Sequence, residues 1–123
     1  CMQHRFEDLK IWQKSKDLAK SIYMQFSGIK DFGFKDQIQR AAVSVMNNIA
    51  EGAERNSSLE FQHFLFIAKG SCGEVRSMLI LAIEINYINK TEAETLIRQT
   101  EEISKMIFGL TRIISQKSDI EMS

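Results

Sequence analysis

The sequence contains no proline, six glycines and two cysteines in 123 residues. Without proline and with glycine scarce, the usual helix breakers and turn formers are missing, which favours long helices over turn-rich β architecture. Cys1 and Cys72 are too few for a disulfide framework and fit a reducing compartment. An excess of one charge is missing too, since 16 Lys+Arg balance 16 Asp+Glu. Bulk charge therefore does not advertise nucleic-acid or membrane binding, and any basic surface must come from uneven distribution. No apolar run reaches the roughly eighteen residues of a membrane span, and no signal-peptide pattern opens the chain. The expectation is a cytoplasmic protein with no membrane partner. Met2 is a candidate natural start, with Cys1 then a remnant ahead of it.

What is present is helical periodicity, over a length that suits one core-bearing domain spanning 1–123. The most informative stretch is Gln37 to Arg55. At helical spacing Ile38, Ala41, Ala42, Val45 and Ile49 share one face, while Val43, Met46 and Ala50 form a second apolar strip. Between them runs a thin polar seam, Gln37-Arg40-Ser44-Asn47-Glu51, with Asn48 beside it and Arg55 one turn on. A helix this apolar is expected to be the inner element, covered by sister helices or by another subunit.

Around it the spacing predicts helices at about 6–27, 35–54, 58–88 and 92–116. In the first, Leu9, Trp12, Ala19, Ile22, Tyr23 and Phe26 recur near the 3.6 period, with Ile11 and Leu18 widening the stripe, and Gly28 reads as a left-handed stop. Phe32 and Phe34 in the following connection read as plugs for the bundle end. Ser57-Ser58-Leu59-Glu60 is a capping box opening the third helix, and Thr91-Glu92-Ala93-Glu94 reads as another opening the fourth. The third helix has Phe61, Phe64-Leu65, Ala68, Ser71-Cys72, Val75, Met78-Leu79 and Ala82 on its core face. Its small middle, with Gly70 and Gly73, is expected to admit a neighbouring backbone. The fourth helix repeats Ala93, Leu96, Thr100, Ile103, Ile107, Leu110 and Ile114 in steps of three and four, the seam of a nearly antiparallel packing. The tail after Gln116 is expected to fray. Four helices joined by short turns read as an all-α, up-down-up-down bundle.

The chemistry-bearing residues are few. Glu60 and His63 make one Glu-x-x-His pair, but a di-iron bundle site needs two such pairs and two further carboxylates. The other histidine, His4, lies at the chain start, so no metal site and no cofactor is expected. Gly70-Ser71-Cys72-Gly73 lies mid-helix on a packing face without a base, which fits helix contact better than nucleophilic catalysis. No catalytic residue is assigned. Up to Lys35, Arg5, Lys10, Lys14, Lys16, Lys20, Lys30 and Lys35 outnumber the acids, whereas the fourth helix carries Glu92, Glu94, Glu101 and Glu102. Lys10, Lys14, Lys16 and Lys20 are therefore the candidate nucleic-acid contacts. Arg40, Ser44, Asn47, Asn48, Glu51 and Arg55 are the candidate interface, where buried polar groups would set register more than add stability.

Several blocks resemble a known family. Phe6-Glu7-Asp8-Leu9-Lys10-Ile11-Trp12-Gln13 looks like the opening of the 23S ribosomal RNA intervening-sequence proteins. Arg40-Ala41-Ala42-Val43-Ser44-Val45, then Asn48-Ile49-Ala50-Glu51-Gly52 and Arg55, is similar to that family's signature. Glu60-Phe61, Phe64-Leu65, Ile67-Ala68, Gly70-Ser71, Glu74 and Asn86-Tyr87-Ile88 continue the likeness. The resemblance implies a left-handed up-and-down four-helix bundle that assembles as a ring-like homopentamer. It extends to the accessory variability determinant of diversity-generating retroelements, which is implicated in nucleic-acid binding. Met46 stands where the signature usually has proline, and the neutral charge departs from the basic accessory proteins. The expected function is a non-enzymatic oligomeric scaffold or accessory protein with RNA or DNA as candidate partner. The rival is a protein–protein interaction module, with a metal-dependent bundle enzyme a distant third.

Overall fold

The computed structural model describes residues 5–122, and the side chains of 5–116. The readings made for Cys1, Met2 and His4 lie outside the described residues. After a 3-10 turn at Phe6–Asp8 come four helices: α1 (Lys10–Gln25), α2 (Phe32–Ala53), α3 (Ser58–Glu84) and α4 (Lys90–Met122). Hydrogen-bonded pairs give the directions. Gln37 meets Glu74 and Ser44 meets Ser71, so numbers rise on α2 as they fall on α3. Gln62 meets Thr111 and Cys72 meets Thr100, which makes α3 and α4 antiparallel as well. Each helix packs on its sequence neighbours, and α1 closes the circuit on α4. The architecture is an up-down-up-down four-helix bundle.

The core follows the predicted periodicity with exceptions: Tyr23 is exposed, and Leu9, Trp12, Phe61, Phe64, Ser71, Met78 and Leu110 are only half-buried. Leu18, Ile22, Ile38, Val45, Ile49, Leu65, Val75, Leu79, Ile103 and Ile107 are fully buried. Among the described residues Ser15, Thr100 and Thr111 are the buried polar ones, and each hydroxyl donates to a carbonyl of its own helix: Ile11, Ile97 and Phe108 respectively. Satisfied in this way, a hydroxyl can occupy a core position without the penalty of an unpaired polar group. This is how Thr100 takes its place on the α4 seam.

Several boundaries differ from the sequence reading, each for a local reason. α1 starts at Lys10 rather than Phe6, because Leu9 is extended at φ −76° and ψ 128° and separates it from the 3-10 turn. α2 starts three residues early because Asp31 caps it, its Oδ1 accepting from Phe34 N at 3.1 Å. That winds both aromatics into the first turn. Phe34 is buried between Phe26 and Tyr87, with ring centroids 5.7 and 5.2 Å away, but Phe32 is 72% exposed and plugs nothing. α3 stops at Glu84, short of Ile88, in a Schellman motif. Asn86 there is left-handed at φ 62°, Tyr87 N donates to Ala82 O, and Asn86 N donates to Ile83 O. No glycine has positive φ among the described residues, so Gly28 is not the left-handed stop expected of it. Asn89, not Thr91, caps α4, its Oδ1 accepting from Thr91 N at 2.8 Å. Past Gln116 the helix continues to Met122, since no glycine or proline interrupts it there.

Asp31 also ties the two turns at one end of the bundle together, since its Oδ2 accepts from the Tyr87 hydroxyl at 2.8 Å. The Phe34 N–H and then the Tyr87 hydroxyl hold its carboxyl below the ordinary carboxylate value. A carboxyl depressed in the folded state contributes stability above its unfolded pKa and loses it as pH falls through the folded pKa. Asp31→Ala is therefore expected to lower the melting temperature at neutral pH, with the deficit shrinking in acid. A deficit as large in acid as at pH 7 would show that the ionised form is not what matters.

Candidate functional site

The polar seam of α2 faces α3. Ser44 Oγ lies 2.8 Å from Ser71 Oγ, and Asn48 Nδ2 donates to Ser44 O at 2.8 Å and to Ser44 Oγ at 3.0 Å. Two turns toward the α2 N-terminus, Gln37 Nε2 donates to Glu74 at 3.4 Å. Half-buried hydroxyls between helices need partners, and a slide of one turn would break the Ser44–Ser71 pair while leaving Asn48 on Ser44 of its own helix. The seam thus sets the α2–α3 register.

Not every predicted member joins it. Arg40 points outward and pairs with Asp36 at 2.8 Å, and Asn47 is exposed. Glu51 and Arg55 pair with each other at 2.8 Å, and the Arg55 guanidinium sits 5.0 Å from the Phe64 ring centroid. At that end of the seam the two helices are in tight contact. A Cβ on Gly52 would lie 2.9 Å from both Phe61 Cδ1 and Phe64 Cβ, whereas one on Gly70 or Gly73 would meet nothing within 4 Å. The close approach expected at Gly70 and Gly73 is therefore made within the chain by Gly52 instead.

The α1 lysines are brought against acids. Lys14 Nζ bonds Glu102 of α4 at 2.7 Å, and Lys16 lies 3.9 Å from Asp17 and 5.7 Å from the Trp12 ring centroid. The Lys14 hydrogen bond, then the fields of Lys14 and Lys10, hold the Glu102 carboxyl below its usual range. Lys10 and Lys20 remain exposed. A cleft of about 250 Å3 between α1 and α4 is lined by Lys14, Asp17, Ser21, Gln99, Glu102 and Ile103. Its charges face each other, so it offers no uncompensated field to a ligand.

The remaining candidates have packing roles. Cys72 is buried, its Sγ donating to Thr100 O at 3.1 Å. Burial pushes its thiol up to about 11, with the Arg76 cation opposing in part, the opposite of an activated nucleophile. Ser57 Oγ caps α3 by accepting from Glu60 N, and the His63 ring packs edge-on to Phe64. Among the described residues no three His, Cys, Asp or Glu side chains gather as metal ligands, and no helix is long and apolar enough to cross a membrane.

One cluster escaped the sequence reading. Lys69 and Arg76 on α3 and Lys105 on α4 line the outer α3–α4 groove with Glu101 and Phe108, and the Arg112 guanidinium stands beside it, 6.0 Å from the Phe108 ring centroid. The usable signal was the seven-residue spacing within each pair, two turns apart and so on one helix face. The acidic first half of α4 concealed it.

The geometry defines an all-α up-and-down bundle whose interhelical polar groups serve register. The family model described as 23S rRNA-intervening sequence protein matches residues 7–109, and the chain belongs to that family. The resemblance read from its signature blocks is borne out. A crystal structure of a protein of unknown function from the S23 ribosomal protein family, from Bacteroides thetaiotaomicron, is similar at 28% identity and a TM-score of 0.77. The likeness covers 82% of this chain and 97% of that one. Among curated protein sequences none matches.

Proposed function

We propose that the chain is a non-catalytic bundle that assembles with copies of itself into a closed ring, five being the number its family resemblance implies. In this reading it acts as a scaffold or accessory factor for RNA or DNA. The observation that carries the assembly is the outside of α3. Among the described residues, six of the eleven exposed large apolar side chains, Leu59, Phe66, Ile67, Ile80, Leu81 and Ile85, lie on α3 or its C-cap. Exposed apolar side chains gathered toward the two ends of one helix, at 59–67 and 80–85, mark interaction surface. Ile67, Leu81 and Ile85 continue the stripe of Ser71, Glu74 and Met78, so they flank the signature seam. The family's name, which refers to 23S rRNA, supports a nucleic-acid partner. The pairing of Lys14 and Lys16 with acids supports the alternative, an interaction module that touches protein only.

Leu81→Glu/Ile85→Glu tests the assembly. Both side chains are exposed in the protomer, at 49% and 41%, so the variant should keep its helical circular dichroism. Its mass by light scattering should fall from oligomer to monomer. An intact oligomer in that variant would remove the α3 stripe from the interface.

A further inference from the structure

We propose that the outer groove between α3 and α4 binds single-stranded nucleic acid, with phosphates on Lys69, Arg76, Lys105 and Arg112 and a base stacked at Phe108. The inference rests on the nucleic-acid half of the reading above; the groove shares Ile80 with the exposed apolar set of α3 but uses none of Ile67, Leu81 and Ile85. Contiguous depressions of about 450 and 400 Å3 run along the two helices and share Arg76 and Glu101. The antiparallel register fixed by Cys72–Thr100 and Gln62–Thr111 sets Lys69 nearly opposite Lys105. Arg76 lies two turns to one side and Arg112 two turns to the other. The cations therefore track a line of about 20 Å, at 1.5 Å per helical residue.

Charge and aromatic placement point to the occupant. Among the described residues none of these four cations is ion-paired, in contrast to Lys14 and Lys16 on α1. Glu101 is the one carboxylate lining the two depressions. Phe108 is 50% exposed, with Lys69 Nζ 5.4 Å and Arg112 Cζ 6.0 Å from its ring centroid. An exposed ring between cations that follow a line is the arrangement that holds a single strand, by stacking a base while the phosphates are neutralised. An acidic amphipathic helix is the competing occupant, but it needs pockets for large apolar anchors. The crevice at the groove floor holds about 30 Å3 and is lined by Cys72, Gly73, Thr100 and Ser104 beneath Arg76 and Glu101. That crevice is too small for a leucine or a phenylalanine, and the two larger depressions above it are open to solvent rather than enclosed, so they do not grip an apolar anchor.

The test is fluorescence anisotropy at low salt with labelled oligo(rU) and oligo(dT), using the full chain and checking each sample by light scattering. Wild type should bind, with affinity falling linearly in log salt. Lys69→Glu/Lys105→Glu should weaken binding more than about tenfold and reduce the salt slope by about 1 per lysine. The milder Lys69→Gln/Lys105→Gln should weaken it in the same direction. Phe108→Leu should lose about tenfold with the salt slope retained, because it removes stacking and not charge. Four results would overturn the assignment: no binding by wild type, groove variants that bind like wild type, a larger loss from Lys10→Glu/Lys20→Glu on α1, or equally tight binding of polyglutamate of matched charge. The last would point to an acidic protein segment. Retained binding in the groove variants would refute this site alone, whereas no binding by wild type would refute the nucleic-acid reading as well. The mass measurement decides the assembly reading separately.

Discussion

Ile107→Ala is expected to destabilise the protein by about 2–5 kcal/mol, the range for deleting a buried branched side chain that its surroundings cannot refill. Ile107 is 0% exposed and Ile103 is 1% exposed, one helical turn apart on the face of α4 that closes the core. By the antiparallel register the groups facing Ile107 lie around Leu65 and Ala68 of α3, both fully buried. Backbones held by packing on both flanks cannot collapse into the space, so the cavity cost adds to the lost transfer energy. Ile113, on the same helix but 52% exposed, is the control. Its alanine variant should stay within about 0.5 kcal/mol in the protomer, as surface changes do. Urea melts at one fixed protein concentration compare the two, because self-association stabilises by mass action. Equal, small losses would mean that the wrong face of α4 has been placed inside.

Gly52→Ala is expected to destabilise by about 1–3 kcal/mol, the usual cost of overpacking a filled interface, although alanine is the better helix former. The added methyl would stand 2.9 Å from Phe61 Cδ1 and Phe64 Cβ and 3.3 Å from Phe61 O. A Cβ and a backbone carbonyl cannot swing aside as the end of a flexible side chain can, so α3 would have to retreat from α2. Retreat would stretch the Ser44–Ser71 contact two turns away. Gly73→Ala makes the comparison sharp, since its methyl meets nothing within 4 Å. There the helix-propensity gain of about 0.5–1 kcal/mol should appear undiminished. Opposite signs for the two substitutions are the expected result in thermal melts. A stabilising Gly52→Ala would show that the α2–α3 contact is looser than the structure has it.

The bundle was legible because burial repeats at helical spacing: the α4 seam from Ala93 to Ile107 is buried position by position. The ends were less so, because several polar residues compete to cap each helix and local geometry decides among them. Asp31, Asn86 and Asn89 hold the deciding positions, whereas Gly28 and Thr91 looked stronger by residue type. The seam could be read as a face, but not which helix it faces. Ser71 as partner of Ser44, and Arg40 turning away to Asp36, follow only from the α2–α3 register. The charge on α1 was misleading for the same reason, since Glu102 reaches Lys14 from a helix more than eighty residues along the chain. Conversely, the cations of the α3–α4 groove lie far apart in sequence and meet only across two antiparallel helices.

The central claim is that the apolar outside of α3 is covered by further copies of the same chain, and the most direct test is the molar mass of the native protein by light scattering at micromolar concentration. The chain has a mass of 14.2 kDa, so a closed ring of five predicts about 71 kDa, constant on dilution through that range. A single species at 14.2 kDa would contradict it.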